Sequence, residues 1–279
     1  MALSREIVPP VRGKDLAPLE PDCPGVFLPT PLSPKEYRKV AALLEEHPDN
    51  YLHVWGPGNL DFLQYFPKQR RFACDIDQLD SLEGLQYLQE CRYLSIYRAA
   101  KGTSLAPIAG MPKLETLLLG GQYHDHHSLT GMTWLRSLGL IYAAQTKTLD
   151  WLPPNLHEFT MDVGSIRDIS GLAAHPNIAE ISFHKTRLLA DLTPLSANTG
   201  LRTLHLSQLS SVTELFDFTG LQNLRELHIK TLRKLTDTRP LLAAKNLTEL
   251  FLYDLPALDP QAWHDTCTGW LAQNKPPFW

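Results

Sequence analysis

An apolar triplet, Leu-x-x-Leu-x-Leu or a close substitute, returns nine times along this chain at intervals of 21 to 23 residues. Its first slots are Gln69, Cys91, Leu114, Leu135, Leu156, Ile178, Leu201, Leu224 and Leu247. The fourth and sixth slots are apolar in every copy, from Phe72 and Cys74 through Leu204 and Leu206 to Leu250 and Leu252, and Gln69 alone breaks the rule at the first. Successive side chains of a strand alternate faces, so slots four and six point one way and slots three, five and seven the other. A unit this short cannot bury its apolar face by itself. Stacking neighbouring units as parallel strands builds one shared core.

Between the triplets a second rhythm runs at a spacing of three: Leu79, Leu82 and Leu85; Ile166, Ile169 and Leu172; Leu189, Leu192 and Leu195; Leu215, Phe218 and Leu221. That spacing suits short 3₁₀ turns, whose side chains eclipse at i and i+3. On the triplet and on segments such as Ile166-Arg-Asp-Ile169-Ser-Gly-Leu172 and Leu189-Ala-Asp-Leu192-Thr-Pro-Leu195, the chain resembles the leucine-rich repeat family, in its short-repeat, internalin-like branch, from about residue 50 to 259. The resemblance implies an α/β fold, a leucine-rich repeat solenoid whose curved parallel sheet carries short 3₁₀ or irregular segments on its convex side. One family feature is missing: Ser210 or Tyr142 stands near where an asparagine usually turns the chain after the strand. Something else must satisfy the backbone there.

A solenoid needs closed ends, and both flanks read as caps. Residues 1–32 hold seven prolines and are expected to be an extended or partly disordered tail. Residues 33–57 form the N-terminal cap: Ser33 caps a helix, Pro34 sits in its first turn, Glu36 completes a capping box, and Tyr37, Val40, Leu43 and Leu44 form its apolar face. Tyr51–Trp55 alternates like a further, degenerate strand with Leu52 and Val54 inward. About nine repeats fill residues 58–258, and Asp259-Pro260 opens a C-terminal helical cap, 259–279, whose Trp263 and Trp270 lie seven apart on one face and lid the last core.

A net charge of −4, with no clustered stripe of Lys and Arg, argues against nucleic acid as a partner. There is no apolar leader and no 18-residue apolar run, so the expectation is a cytoplasmic protein that does not engage a membrane. Four cysteines without paired spacing read as free thiols.

Folding the sequence onto the repeat register turns the outward slots into columns, and in the family this concave face commonly binds proteins. Tyr93 and Tyr97 stand near one end and Phe251 and Tyr253 near the other, with Leu118 and Ile141 between them. Glu158, Asp162, Glu180, Glu226 and Glu249 make the later half acidic, interleaved with His184, His205, His228 and Lys230. Aromatic anchors in a polar surround are what binding hot spots favour, and an acidic column suits a partner with a basic surface.

No cofactor and no metal is assigned from the sequence. His184, His205 and His228, with Glu180 or Glu226, are the candidates should zinc bind. His124-Asp-His126-His127 reads as a solvated rim loop. No nucleophile elbow, phosphate-cradling glycine loop or metalloprotease helix motif occurs, so no catalytic residues are assigned and the chain reads as a non-enzyme. The leading expectation is a scaffold, a monomer by itself, that recognises a partner protein through the concave face. One form of it is a bacterial immunity or antitoxin protein masking a toxin domain. An adaptor or regulatory subunit and a translocated effector or receptor are the alternatives.

Overall fold

The computed structural model describes residues 4–56, 58–143 and 146–273; the ends of the expected tail and C-terminal cap, residues 1–3 and 274–279, lie outside them. The chain divides into two compact units, Met1–Leu135 and Arg136–Trp279. The first contains β1 (Arg5–Glu6), β2 (Gly25–Leu28), α1 (Pro34–Glu45), β3 (Tyr51–Trp55), β4 (Arg71–Leu79), β5 (Tyr93–Ser104) and β6 (Thr116–His124). The second contains β7 (Ser137–Ile141), β8 (Glu158–Asp162), β9 (Glu180–His184), β10 (Thr203–Ser207), β11 (Glu226–Lys230), β12 (Glu249–Tyr253) and α2 (Pro260–Ala272). Within each unit the strands pair parallel and in chain order.

Register follows the triplet without slippage in the second unit: Leu204 pairs with Leu227 and Leu227 with Leu250, while Leu206, Ile229 and Leu252 stack one pleat further on. A shift by one residue would turn every leucine to solvent. The fourth-slot side chains are accordingly sealed, with Phe72, Leu94, Leu117, Phe159, Leu204 and Leu227 all at 0 % exposure. Gln69, the polar exception, is also buried; its side-chain amide donates to the backbone carbonyls of Asn50 and Arg71. A buried amide with acceptors is tolerated where one without them costs about 1–3 kcal/mol.

Short 3₁₀ turns stand at three of the four places where the spacing of three predicts them, with none at 215–221; those of the second unit are Ser170–Ala174, Thr193–Ala197 and, outside the predicted set, Arg239–Ala243. Each is opened by an aspartate two residues earlier. Asp168, Asp191, Asp217 and Asp237 each accept the backbone N–H of the residue two positions on, at 2.8 Å in every case. The same Asx turn therefore recurs from unit to unit.

The missing asparagine is answered by the backbone. Immediately after slot seven, Arg98, Tyr142, Val163, Lys185, Gln208, Thr231 and Asp254 all adopt left-handed conformations, with φ between 51° and 59°. From Tyr142 to Thr231 the turn lets the N–H reach sideways to the next strand: Tyr142 donates to Asp162 O (2.9 Å), Val163 to His184 O (2.9 Å), Lys185 to Ser207 O (3.0 Å), Gln208 to Lys230 O (2.8 Å) and Thr231 to Tyr253 O (2.8 Å). The ladder extends the sheet by one rung and needs no particular side chain. For β-branched Val163 and Thr231 it holds the backbone where such residues rarely go.

Within the N-terminal stretch, expected to be extended or partly disordered, residues 5–28 carry β1 and β2 with Ile7, Val26 and Leu28 fully buried. Five of the seven prolines fall between these short strands, and Pro29 and Pro31 follow β2. β2 holds only four residues, too few for its alternation to stand out from a proline-rich background. α1 follows its sequence signals: Ser33 and Glu36 form the capping box, Pro34 opens the first turn, and Tyr37, Val40, Leu43 and Leu44 are buried, as is Ala41. Glu36 also accepts the N–H of Val11 at 2.9 Å, which ties the preceding segment to the helix. At the other end Asp259 caps α2 by accepting from Ala262 N–H at 2.8 Å, and Trp270 is buried at 1 % exposure while Trp263 is half-buried.

The first unit departs from simple repetition. β4, β5 and β6 run on past their triplets, with breaks in register after Asp75, Ile96 and Ala99. The extension is held by Thr103, whose hydroxyl donates to the carbonyls of Leu79 (3.0 Å) and Ala100 (2.8 Å), and by the buried Tyr123 hydroxyl on the carbonyls of Ile96 and Gly120. No helix among the described residues is long and apolar enough to cross a membrane.

Candidate functional site

Because the leucine register sends slots three, five and seven outward, the solvent face of β7–β12 is a grid whose occupants are free of packing duty. Five carboxylates stand on it, Glu158, Asp162, Glu180, Glu226 and Glu249, against the single ammonium of Lys230. Glu158 and Glu180 are direct neighbours in the ladder, as are Glu226 and Glu249. The sequence leaves open whether Lys230, Arg202 or Arg225 neutralises this column. Instead, Lys230 lies over the Tyr253 ring, 5.7 Å from its centroid, and Arg225 donates to the carbonyls of Gln222 and Leu224. Glu158 accepts from the Ser137 hydroxyl at 2.7 Å.

Histidines hold the rest. His205 and His228 are register partners on β10 and β11, their rings stacked with centroids 4.5 Å apart and planes 14° apart. Glu226 lies between them: its Oε1 is 2.9 Å from His205 Nε2 and 3.3 Å from His228 Nε2, and Glu249 Oε1 is 3.1 Å from that same His228 nitrogen. His228 also leans on Phe251, with centroids 5.6 Å apart, and Phe251 stacks on Tyr253 at 6.3 Å. Tyr253 is 57 % exposed. His184 stands apart from this group, its Nε2 3.9 Å from Asp162. The third histidine of the zinc candidate set is thus not brought to the other two, nor is Glu180, and His205, Glu226 and His228 form the one potential ligand triad among the described residues. The His124–His127 tract does not converge either; His124 and Asp125 pair at 3.0 Å on the rim.

The outward face of the first unit has a different character. The Arg71 guanidinium lies 4.0 Å from the Tyr51 ring centroid and 5.4 Å from that of Tyr93, and it donates to the Tyr51 hydroxyl. Tyr51 and Tyr93 meet edge to face at 5.3 Å, while Phe27 stacks on Trp55 and touches His53. Burial pushes the Tyr93 phenol up to about 12, with the neighbouring Tyr51 and Tyr97 adding to the shift, and burial lowers His53. Tyr97 lies on Gly120: a Cβ there would stand 2.8 Å from the Tyr97 ring, so only glycine lets the ring lie flat. Leu118, on this face, and Ile141, on that of the second unit, are half-buried.

The repeat register puts Arg71, Tyr93 and Tyr97 on the outward face, with only the two tyrosines among the expected binding residues, and does not by itself add Phe27, Tyr51, His53 and Trp55 to them. The signal was present in part, since inward Leu52 and Val54 require Tyr51, His53 and Trp55 to face out. Phe27 could be placed only by β2, whose pairing with β3 puts it beside His53.

These two units have the leucine-rich repeat fold. Among solved structures the chain is similar to an internalin (inlF) from Listeria monocytogenes, at 19 % identity and a TM-score of 0.57 over 82 % of this chain and 80 % of that one. It is similar to an internalin C2 (inlC2) of the same organism at 23 % identity and a TM-score of 0.51, covering 69 % of this chain and 82 % of that one. The leucine-rich repeat domain of the type III effector XopL matches at 15 % identity with a TM-score of 0.57, covering 86 % and 79 %. No protein-family model and no curated protein matches the sequence.

Proposed function

We propose that this protein is a binding scaffold that recognises another protein through the outward faces of its strands, with no catalysis of its own. One observation carries the reading: residues exempt from packing are neither uniformly polar nor random, but set aromatic anchors, Phe251 and Tyr253, beside five carboxylates on the second unit. Aromatic anchors supply contact area at low entropic cost, and the surrounding charge selects the partner's sign. The partner is a protein with a basic surface, and no nucleic acid or membrane is involved. A toxin domain neutralised by this chain acting as an immunity protein is the most specific form of the reading, since masking a cationic active surface needs only a rigid complementary face. The four free cysteines, two of them with thiols that burial raises to about 12 and so keeps unreactive, support a reducing, cytoplasmic setting.

The test is capture from the native source with wild-type protein and with Glu158→Lys, Glu180→Lys and Glu249→Lys combined. The expected result is a basic partner retained by the wild type, released by moderate salt and lost to the triple variant. Equal capture by both proteins would sink the acidic-face reading. Replacing Tyr253 with alanine should raise the dissociation rate by about ten- to thirtyfold, since an exposed aromatic side chain that anchors an interface is worth about 2 kcal/mol.

A further inference from the structure

The geometry points to a site for a divalent transition metal of the zinc class, and we propose that His205, Glu226 and His228 bind it on the outward face of the second unit. The ligand atoms, both Nε2 and one carboxylate oxygen, all lie within 4.8 Å of one another. A tetrahedral ion with bonds of about 2.0–2.1 Å to nitrogen and oxygen requires ligand atoms about 3.3 Å apart. His228 to Glu226, at 3.3 Å, already meets this, and His205 to Glu226, at 2.9 Å, is about 0.4 Å short of it. Only the histidine-to-histidine edge has to close. Both side chains are about a third exposed, at 39 % and 33 %, so the stacked imidazoles have room to tilt toward a common point.

The backbone is already organised for this. His205 and His228 are direct register partners in a parallel ladder, and Glu226 comes from the same strand as His228, two residues earlier and on the same face. No loop has to order itself for the site to form. Hydrogen bonding gives each imidazole one carboxylate, His205 to Glu226 at 2.9 Å and His228 to Glu249 at 3.1 Å, and leaves His228 Nε2 and Glu226 Oε1 3.3 Å apart with no N–H directed between them. A cation between the imidazoles and Glu226 would be attracted by both carboxylates. Two imidazoles with one carboxylate select zinc, cobalt or nickel over calcium and magnesium, which prefer all-oxygen shells. Three ligands from the protein leave the fourth position toward solvent, for water or for Glu249 swinging inward.

This site does not depend on the protein-docking reading and is tested separately from it. Full-length protein prepared without a histidine tag and stripped with chelator is titrated with Zn²⁺ by calorimetry and with Co²⁺ by visible absorption. The expected result is one equivalent bound at micromolar or lower dissociation constant, with the strong visible bands of tetrahedral cobalt. H205A, H228A and E226Q should each weaken binding at least tenfold with unchanged far-ultraviolet circular dichroism, whereas H184A should bind as the wild type does. Absence of binding at 100 µM metal, binding that survives H205A and H228A, or a loss in H184A equal to theirs would each overturn the assignment.

Discussion

Val163 and Thr231 are β-branched residues held at φ 54° and 57°, in a conformation where glycine is ordinarily found. Their N–H groups supply the cross-strand rung, and a glycine would supply the same rung without the clash. Val163→Gly is therefore expected to stabilise the protein by roughly 0–2.5 kcal/mol, as about 1–3 kcal/mol of backbone strain is relieved against about 0.5–1 kcal/mol of glycine entropy. Urea unfolding would measure it, and a loss of stability would mean that the left-handed turn is not strained. Asn198 is the opposite case. Fully buried, it donates to the carbonyls of Leu172 (2.8 Å) and His175 (2.9 Å), stitching one turn to the one before it. Asn198→Ala leaves both acceptors without that donor and should cost about 1–3 kcal/mol in the same experiment.

At the scale of the element, the recurring Asx turn gives the stack a common response to acid. Hydrogen bonds from the residue two positions on hold Asp168, Asp191, Asp217 and Asp237 below the ordinary value of 3.8. A carboxylate whose folded value is depressed contributes stability that is complete above its unfolded value and is lost as pH falls through the folded one. Glu36 adds to this, drawn down from 4.5 to about 2 by the Ser33 hydroxyl and the backbone N–H groups of Val11 and Ser33. Stability should thus be level near neutrality and decline below about pH 4. Replacing all four aspartates with asparagine keeps an acceptor in every turn but removes the titration. The variant should show a shallower decline in thermal midpoint between pH 5 and pH 3, and an unchanged slope would assign acid sensitivity to other groups. Three of the aspartates are legible in the sequence as a recurring Asp-x-Ser/Thr inside the leucine-spaced segments, at Asp168, Asp191 and Asp217, while Asp237 is followed by Arg239 and carries no such signal.

For the whole molecule, the binding reading makes a quantitative demand on salt. Charges on an exposed face act over about a Debye length, roughly 10 Å at 0.1 M ionic strength and 3 Å at 1 M. Association with a basic partner should slow as salt rises while dissociation, governed by anchors such as Tyr253, changes less. Stopped-flow measurement of both rates against ionic strength would check this, and an association rate indifferent to salt would remove electrostatic steering from the account.

What the sequence determined by itself was the register. A period of about 22 residues with apolar fourth and sixth slots admits only stacked parallel strands, and the same alternation dictates which side chains face water. The helix caps at Ser33 and Asp259 were legible for a similar reason, since capping is local chemistry written within four residues. Tertiary structure decided what local chemistry cannot. It gathered His205, Glu226 and His228 and left His184 beside Asp162, because a column says which residues are neighbours but not where their rotamers point. It put the turn after each strand from β7 to β12 into a backbone conformation that no side chain announces, and it drew the proline-rich start into the stack as β1 and β2. Each of these depends on what an adjacent strand offers, a carbonyl, a ring face or an open edge, and that is fixed only when the strands are together.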